Sequence, residues 1–112
     1  MSAPSAARVQ FRMRVYRGDD IAVGPGKIAL LEAIERTRSI SSAAREMGMS
    51  YRRTWQLIDA LNKSLHTPAV ETAVGGAHGG GSVVTDAGRE LIHRYRAVEA
   101  AAEAAAADEI RA

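Results

Sequence analysis

The sequence has no cysteine among its 112 residues. This absence excludes a disulfide framework and zinc sites built on thiolates, and it is typical of proteins in a reducing compartment. No apolar run approaches the roughly 18 residues that a membrane-spanning helix needs. The small, polar first residues lack the apolar centre of a signal peptide. We therefore expect a soluble protein in the cytoplasm.

Catalytic and metal-binding motifs are missing as well. The glycine-rich run 75–81 lacks the Gly-Lys-Ser/Thr ending of a phosphate-binding loop, and no nucleophile stands beside a base. The three histidines, at positions 66, 78 and 93, are too scattered for a metal-binding spacing. The sequence thus predicts no enzyme, no metal site and no cofactor.

Length and composition fit one globular domain, with 46% hydrophobic and 25% charged residues. We expect a disordered start at 1–8, a domain over 9–107 and a frayed tail at 108–112. Charge is distributed unevenly along this domain. Up to Leu65 there are 11 basic against 6 acidic residues, a net charge of +5, and beyond it 4 against 7, a net charge of −3. A solvated surface can produce such a difference, but it also favours an anionic partner for the first half.

The first part of the chain has the residue pattern of a strand, followed by that of a helix. Apolar and polar residues alternate from Val9 to Tyr16, which predicts a strand with a basic outer face. Gly18-Asp19-Asp20 is typical of a turn. Pro25 can start a helix without losing a needed N–H group, and residues 27–38 have the amphipathic spacing of that helix.

Two more helices are predicted around a tight turn. Ser41 can cap a short helix in which Ala44 allows close contact with a neighbouring helix. Gly48 can end it in the left-handed conformation, and Ser50 can cap a third helix over 51–65. That third helix has an apolar stripe of Trp55, Ile58, Leu61 and Leu65. Its outer face is basic, and we expect Trp55 to anchor the core rather than to stack on a base.

The last third of the chain contains a hairpin and a long helix. Short apolar strands at 69–74 and 82–84 flank the glycine-rich run. Thr85 can cap a final helix that continues through alanines to Ala107. The predicted fold class is mainly α with a small β-wing, a winged helix-turn-helix with an N-terminal strand and a long C-terminal helix.

This fold brings its third helix to the major groove of double-stranded DNA. Arg52 and Arg53, in the first turn of that helix, are candidates for reading bases, and Gln56 follows one turn later. The full set of candidate DNA contacts is Ser41, Ser42, Ser50, Tyr51, Arg52, Arg53, Thr54, Gln56, Lys63, His78 and Gly79. Alternatives stay open at several of them: Ser41 can cap its helix, Tyr51 can hold the helix start, and the wing tip around His78 can be a flexible turn.

The final helix predicts a homodimer. Its stripe of Leu91, Tyr95 and Val98 continues into alanines beyond what one small core can cover, and the first helix is expected to join the interface. Two third helices would then lie about 34 Å apart, one turn of the duplex.

Several motifs together resemble a known family. They are Ser39-Ile40-Ser41, Ala43-Ala44, Met49-Ser50-Tyr51-Arg52-Arg53-Thr54-Trp55, Ile58, Leu61-Asn62, the glycine-rich run, Val84-Thr85 and Gly88. In these segments the chain resembles the DNA-binding domain of ModE-type molybdate-responsive regulators, and LysR-type regulators are similar at a greater distance. The resemblance implies a homodimeric DNA-binding repressor or activator.

Full-length members of that family carry a separate oxyanion-binding region, whose Ser-Ala-Arg-Asn type motif is missing from these 112 residues. We therefore expect no direct molybdate binding here, and any such signal would come through a separate effector-sensing protein. The competing hypothesis is a protein-interaction module on a winged fold that has lost DNA binding. Arg52, Arg53 and the basic first half argue against it, because a surface that binds only protein has no need of that charge.

Overall fold

The computed structural model describes residues 7–72 and 81–111. In chain order the elements are β1 (Val15–Arg17), β2 (Asp20–Val23), α1 (Pro25–Thr37), α2 (Ile40–Met47), α3 (Tyr51–Lys63), β3 (Val70–Thr72), β4 (Ser82–Val84) and α4 (Asp86–Arg111). The strands form two antiparallel pairs, β1 with β2 and β3 with β4. With α2 and α3 as the helix-turn-helix and β3–β4 as the wing, the predicted fold class is confirmed.

The N-terminal strand is shorter than predicted and pairs locally. β1 and β2 are joined at Gly18, whose φ of +63° is in the left-handed region that glycine adopts without strain. Residues 7–14 form no regular structure, and the strand predicted from Val9 was wrong in extent. Within the two described ranges this segment pairs with no strand. Val9 lies beside the end of α4, and the Met13 carbonyl accepts a hydrogen bond from the Tyr95 hydroxyl at 2.8 Å.

Helix α1 begins at Pro25, as predicted. The predicted cap of α2 was wrong by two residues. Ser39 is the N-cap, and its hydroxyl oxygen accepts a hydrogen bond from the Ser42 backbone N–H at 3.1 Å. The helix starts earlier because Ile40 is buried in the core, which leaves Ser41 exposed in the first turn.

Helix α4 is 26 residues long and continues to Arg111, past the predicted end at Ala107. An ion pair between Arg111 and Asp108, 2.6 Å apart, lies within its last turn. None of the helices in the two described ranges combines the length and the apolar character needed to cross a membrane.

The core lies between α1, α2, α3 and the base of the wing. Its largest fully buried side chains are Ile28, Leu31, Ile34, Thr54, Ile58 and Leu61. Ala43 and Ala44 are buried where α2 crosses its neighbours, and their small side chains permit the close approach that the sequence predicts. This packing occupies one face of α3 and leaves the opposite face open.

Candidate nucleic-acid interface

The turn between α2 and α3 has a fixed geometry. Gly48 ends α2 with φ of +66°, which confirms the predicted left-handed residue. The next backbone N–H, that of Met49, donates to the Ala44 carbonyl at 2.9 Å, and the Met49 side chain packs against the core. The direction in which α3 leaves the turn is therefore set by backbone hydrogen bonds and by packing.

The start of α3 is held by Ser50 and Thr54. The Ser50 hydroxyl oxygen accepts a hydrogen bond from the Arg53 backbone N–H at 3.0 Å, so the predicted cap is confirmed. Thr54 is 0% exposed, and its hydroxyl donates to the Ser50 carbonyl at 2.9 Å. The prediction of Thr54 as a DNA contact was wrong, because its side chain lies on the buried face of α3 and is hydrogen-bonded to the capping residue.

The outer face of α3 presents cations to solvent. Arg52, Arg53, Gln56 and Lys63 are all exposed. Lys63 pairs with Asp59, with 2.8 Å between Nζ and Oδ2. Neither Arg52 nor Arg53 forms an ion pair with any acid in the described ranges. The first turn of α3 thus offers two guanidinium groups that are free to bind an anion.

Two aromatic rings flank this face. Tyr51 is 55% exposed and meets Trp55 edge to face, with ring centroids 6.3 Å apart. Trp55 packs against the core but is only half-buried, so it is a rim residue rather than the central anchor that its stripe predicts. Tyr51 is accordingly braced by a neighbour while its hydroxyl remains in reach of a ligand.

Asn62 anchors the wing to α3, and the sequence reasoning missed this role. Its Nδ2 donates to the Val70 carbonyl at 3.1 Å. Its Oδ1 accepts from the backbone N–H of Ala69 at 2.8 Å and of Val70 at 3.3 Å. The signal in the sequence was a polar amide directly after the apolar Leu61. Because the wing begins where these bonds end, Asn62 sets the position of the wing relative to α3.

The other end of the wing is tied to α4. Thr85 is the predicted cap: its Oγ1 accepts from the Gly88 backbone N–H at 3.1 Å and donates to the Pro68 carbonyl at 2.6 Å. Gly88 packs so tightly that a Cβ there would lie 2.4 Å from the Ala69 carbonyl oxygen. The base of the wing is therefore rigid. The predicted contact residues at its tip, His78 and Gly79, lie outside the described residues.

Two of the three predicted dimer residues are accessible. Tyr95 is 3% exposed, and its hydroxyl donates a hydrogen bond to the Met13 carbonyl. It therefore belongs to the core of its own chain, and its assignment to a dimer surface was wrong. Leu91 is half-buried and Val98 is 51% exposed. Both line a groove of about 400 Å³ between the β1–β2 hairpin, the end of α3 and α4. Its further apolar lining comes from Met13, Val15 and Leu65, among others.

Known proteins are similar in sequence to this part of the chain. Residues 26–89, from the first turn of α1 into α4, match the model of the bacterial regulatory helix-turn-helix proteins of the lysR family. The chain belongs to the lysR family. The match covers the capped start of α3 and both strands of the wing, which are the elements described above.

Three curated relatives are similar over the same part. The chain is 51% identical over 78 residues to the molybdenum-pterin-binding protein MopB of Rhodobacter capsulatus, covering 70% of this chain and 29% of that protein. It is 40% identical over 95 residues to the molybdenum transport protein ModE of Azotobacter vinelandii, covering 85% of this chain and 35% of that protein. It is 41% identical over 71 residues to the DNA-binding transcriptional dual regulator ModE of Escherichia coli K12, covering 63% of this chain and 27% of that protein. The chain thus spans about a third of these relatives and resembles their DNA-binding domain alone.

Proposed function

We propose that this lysR-family chain is a transcriptional regulator that binds double-stranded DNA as a homodimer in the cytoplasm. The observation that carries the proposal is the capped start of α3, where Arg52 and Arg53 are exposed without an acidic partner in the described residues. The name of the Escherichia coli relative, a DNA-binding transcriptional dual regulator, supports the same function.

In this proposal α3 enters the major groove with its first turn leading. An arginine there can donate two parallel hydrogen bonds to O6 and N7 of guanine, which makes Arg52 or Arg53 a reader of sequence. Gln56 lies one turn further on the same face. The hydroxyls of Ser41, Ser42, Ser50 and Tyr51 and the ammonium of Lys63 are proposed to contact phosphates, which position the duplex without specifying its sequence.

The wing is proposed to contact the flanking backbone or the minor groove. Asn62 and Gly88 fix its base, so the strands approach the duplex in one orientation. Glycines at the tip would let the backbone come close to a phosphate, with His78 and Gly79 as the proposed contacts.

Dimerisation is proposed to use α4 and the groove beside it. Val98 is exposed in the middle of the helix, and Leu91 lines the groove about two turns earlier. α1 is coupled to this surface, because Arg96 of α4 is hydrogen-bonded to Glu32 of α1, with 3.0 Å between Nε and Oε2. A two-fold dimer would place two recognition helices about 34 Å apart and select a pseudo-palindromic site.

Sedimentation and a duplex titration test the proposal together. At tens of micromolar we expect a dimer for the unaltered chain and a monomer of unchanged helix content for Val98→Asp, since a buried unpaired charge opposes association. Fluorescence anisotropy with mixed duplex DNA should show binding by the unaltered chain and weaker binding by Val98→Asp. Sedimentation of the unaltered chain as a monomer alone would contradict the proposed dimer. Absence of duplex binding by the unaltered chain would contradict the proposed function.

Selection of bound genomic fragments would then supply the preferred site, called the cognate site below. The relay of a signal by a separate effector-sensing protein stays a prediction.

A further inference from the structure

A cationic cleft lies beside α3, apart from the start of that helix and from the wing. Its volume is about 470 Å³, and it opens between the β1–β2 hairpin, the first turn of α1 and the last turn of α3. Three basic side chains line it, those of Arg17, Lys27 and Lys63, against one acidic side chain, that of Asp20. Four separate elements thus line one cleft, and because Lys63 is paired with Asp59, the remaining positive charge comes from Arg17 and Lys27.

Backbone carbonyls hold two of these cations in position. The Lys27 ammonium donates to the Ile21 carbonyl at 2.8 Å and to the Ala22 carbonyl at 3.3 Å, which leaves its third hydrogen available. The Arg17 guanidinium donates through Nη2 to the Ser64 carbonyl at 3.0 Å. Carbonyls orient these groups without neutralising them, so the cleft keeps its charge and its geometry.

Arg53 extends this surface towards the start of α3. Partial burial lowers the pKa of Lys27, and the positive charge of Arg53 lowers it further, while Asp20 acts in the opposite direction. The two cations therefore repel each other across the side of α3. An anion placed between them would relieve that repulsion.

We propose that this cleft binds a phosphate of the DNA backbone next to the major groove, so that the β1–β2 hairpin is a third DNA-contacting element. The inference rests on the proposed function. From Arg53 to Lys63 the helix advances about 15 Å, so this side of α3 can follow one strand of the duplex over several nucleotides. The contact positions the duplex and is independent of its sequence.

Removal of the cleft cations tests the proposal. Lys27→Gln should weaken binding by the same factor on cognate and random duplexes. Arg17→Gln should do the same in a variant that sedimentation shows to be still a dimer, because Arg17 also lines the groove proposed for dimerisation. The slope of log affinity against log salt should fall by about 0.9 for each phosphate that the variant no longer neutralises. Arg111→Gln is the matched control, because it removes the same charge at the far end of α4 and should leave the slope unchanged.

Asp20→Asn gives a result that unfolding cannot imitate. It removes the one acid of the cleft and should raise the affinity for every duplex, by about two- to threefold at low salt. Melting temperatures separate effects on binding from effects on folding.

The cleft proposal is overturned if Lys27→Gln and Arg17→Gln bind like Arg111→Gln, or if Asp20→Asn leaves the affinity unchanged, while Arg52→Ala still weakens binding. Failure of the unaltered chain to bind any duplex is a different result, because it would reject the proposed function itself.

Discussion

Helices α3 and α4 differ in how much of their surface one chain can bury. α3 has 13 residues, of which three are buried, whereas α4 has 26 residues and buries only Gly88 and Tyr95. The apolar side of α3 is satisfied inside its own domain. α4 leaves Val98 and Ile110 about half exposed. α3 thus packs its apolar side within one chain, whereas α4 leaves large apolar side chains exposed.

Their charges differ in the same sense. α3 carries three basic residues and one acid, a net charge of +2, while α4 carries four basic residues and six acids, a net charge of −2. A polyanion such as DNA is attracted to α3 and repelled by α4. The comparison supports the proposal that α3 binds the duplex and that α4 associates with a second chain, and the following changes test that division.

The largest effect is expected from a cavity under α3. Ile58→Ala removes a fully buried side chain and should lower the free energy of unfolding by about 2–5 kcal/mol. Val98→Ala on α4 should change it by less than about 0.5 kcal/mol in the monomer, because the side chain is exposed there. Urea denaturation at a protein concentration below that of dimerisation measures both. Equal losses for the two variants would show that α4 is already covered within one chain.

A smaller effect is expected at Gly88, where α4 packs tightly against the base of the wing. Gly88→Ala should destabilise the fold by about 1–3 kcal/mol, because its Cβ would meet the Ala69 carbonyl oxygen and the Val84 side chain, at 2.4 Å and 2.7 Å. Alanine is intrinsically the better helix former, by about 1 kcal/mol. Thermal denaturation shows whether Gly88→Ala lowers or raises the stability of the fold. A more stable Gly88→Ala protein would show that the base of the wing can move.

Local signals in the sequence were enough to predict the helices and the wing in their order, but not the strand β2. Gly48, Ser50 and Thr85 act through backbone atoms within a few residues, so their roles can be recognised without knowing the rest of the fold. The cap of α2 could not be assigned in this way. Ser39 and Ser41 offer the same hydroxyl two residues apart, and the choice depends on the burial of Ile40 by distant residues.

Periodicity placed the apolar stripe of α3 only approximately. Ile58 and Leu61 are buried as predicted, but Thr54 is fully buried while Trp55 is at the rim, so the buried face is rotated slightly from the predicted one. That rotation depends on what α1 and the wing present to α3, and the sequence of α3 does not contain this information. The same holds for residues 7–14, whose alternation predicts a strand but whose neighbour is α4.

The exposure of Arg52 and Arg53 was predicted from the pattern of α3 alone, whereas roles that depend on contacts between elements were missed. Exposed arginines follow from a capped amphipathic helix, so Arg52 and Arg53 could be named. Asn62 and Lys27 act on backbone carbonyls of other elements, and their roles appear only when those elements are in place.

The most direct test of the account compares Arg52→Ala, Arg53→Ala and the double variant on cognate and random duplexes over a series of salt concentrations, with Arg111→Ala at the far end of α4 as the control. We expect unchanged melting temperatures for all four. Arg52→Ala should cost about 1–3 kcal/mol on the cognate site and relax the preference at one base pair. Arg53→Ala should weaken binding on both duplexes alike and lower the salt slope by about one. Undiminished affinity of the double variant for both duplexes would contradict the account, because it would remove α3 from the DNA interface and favour a protein-interaction module.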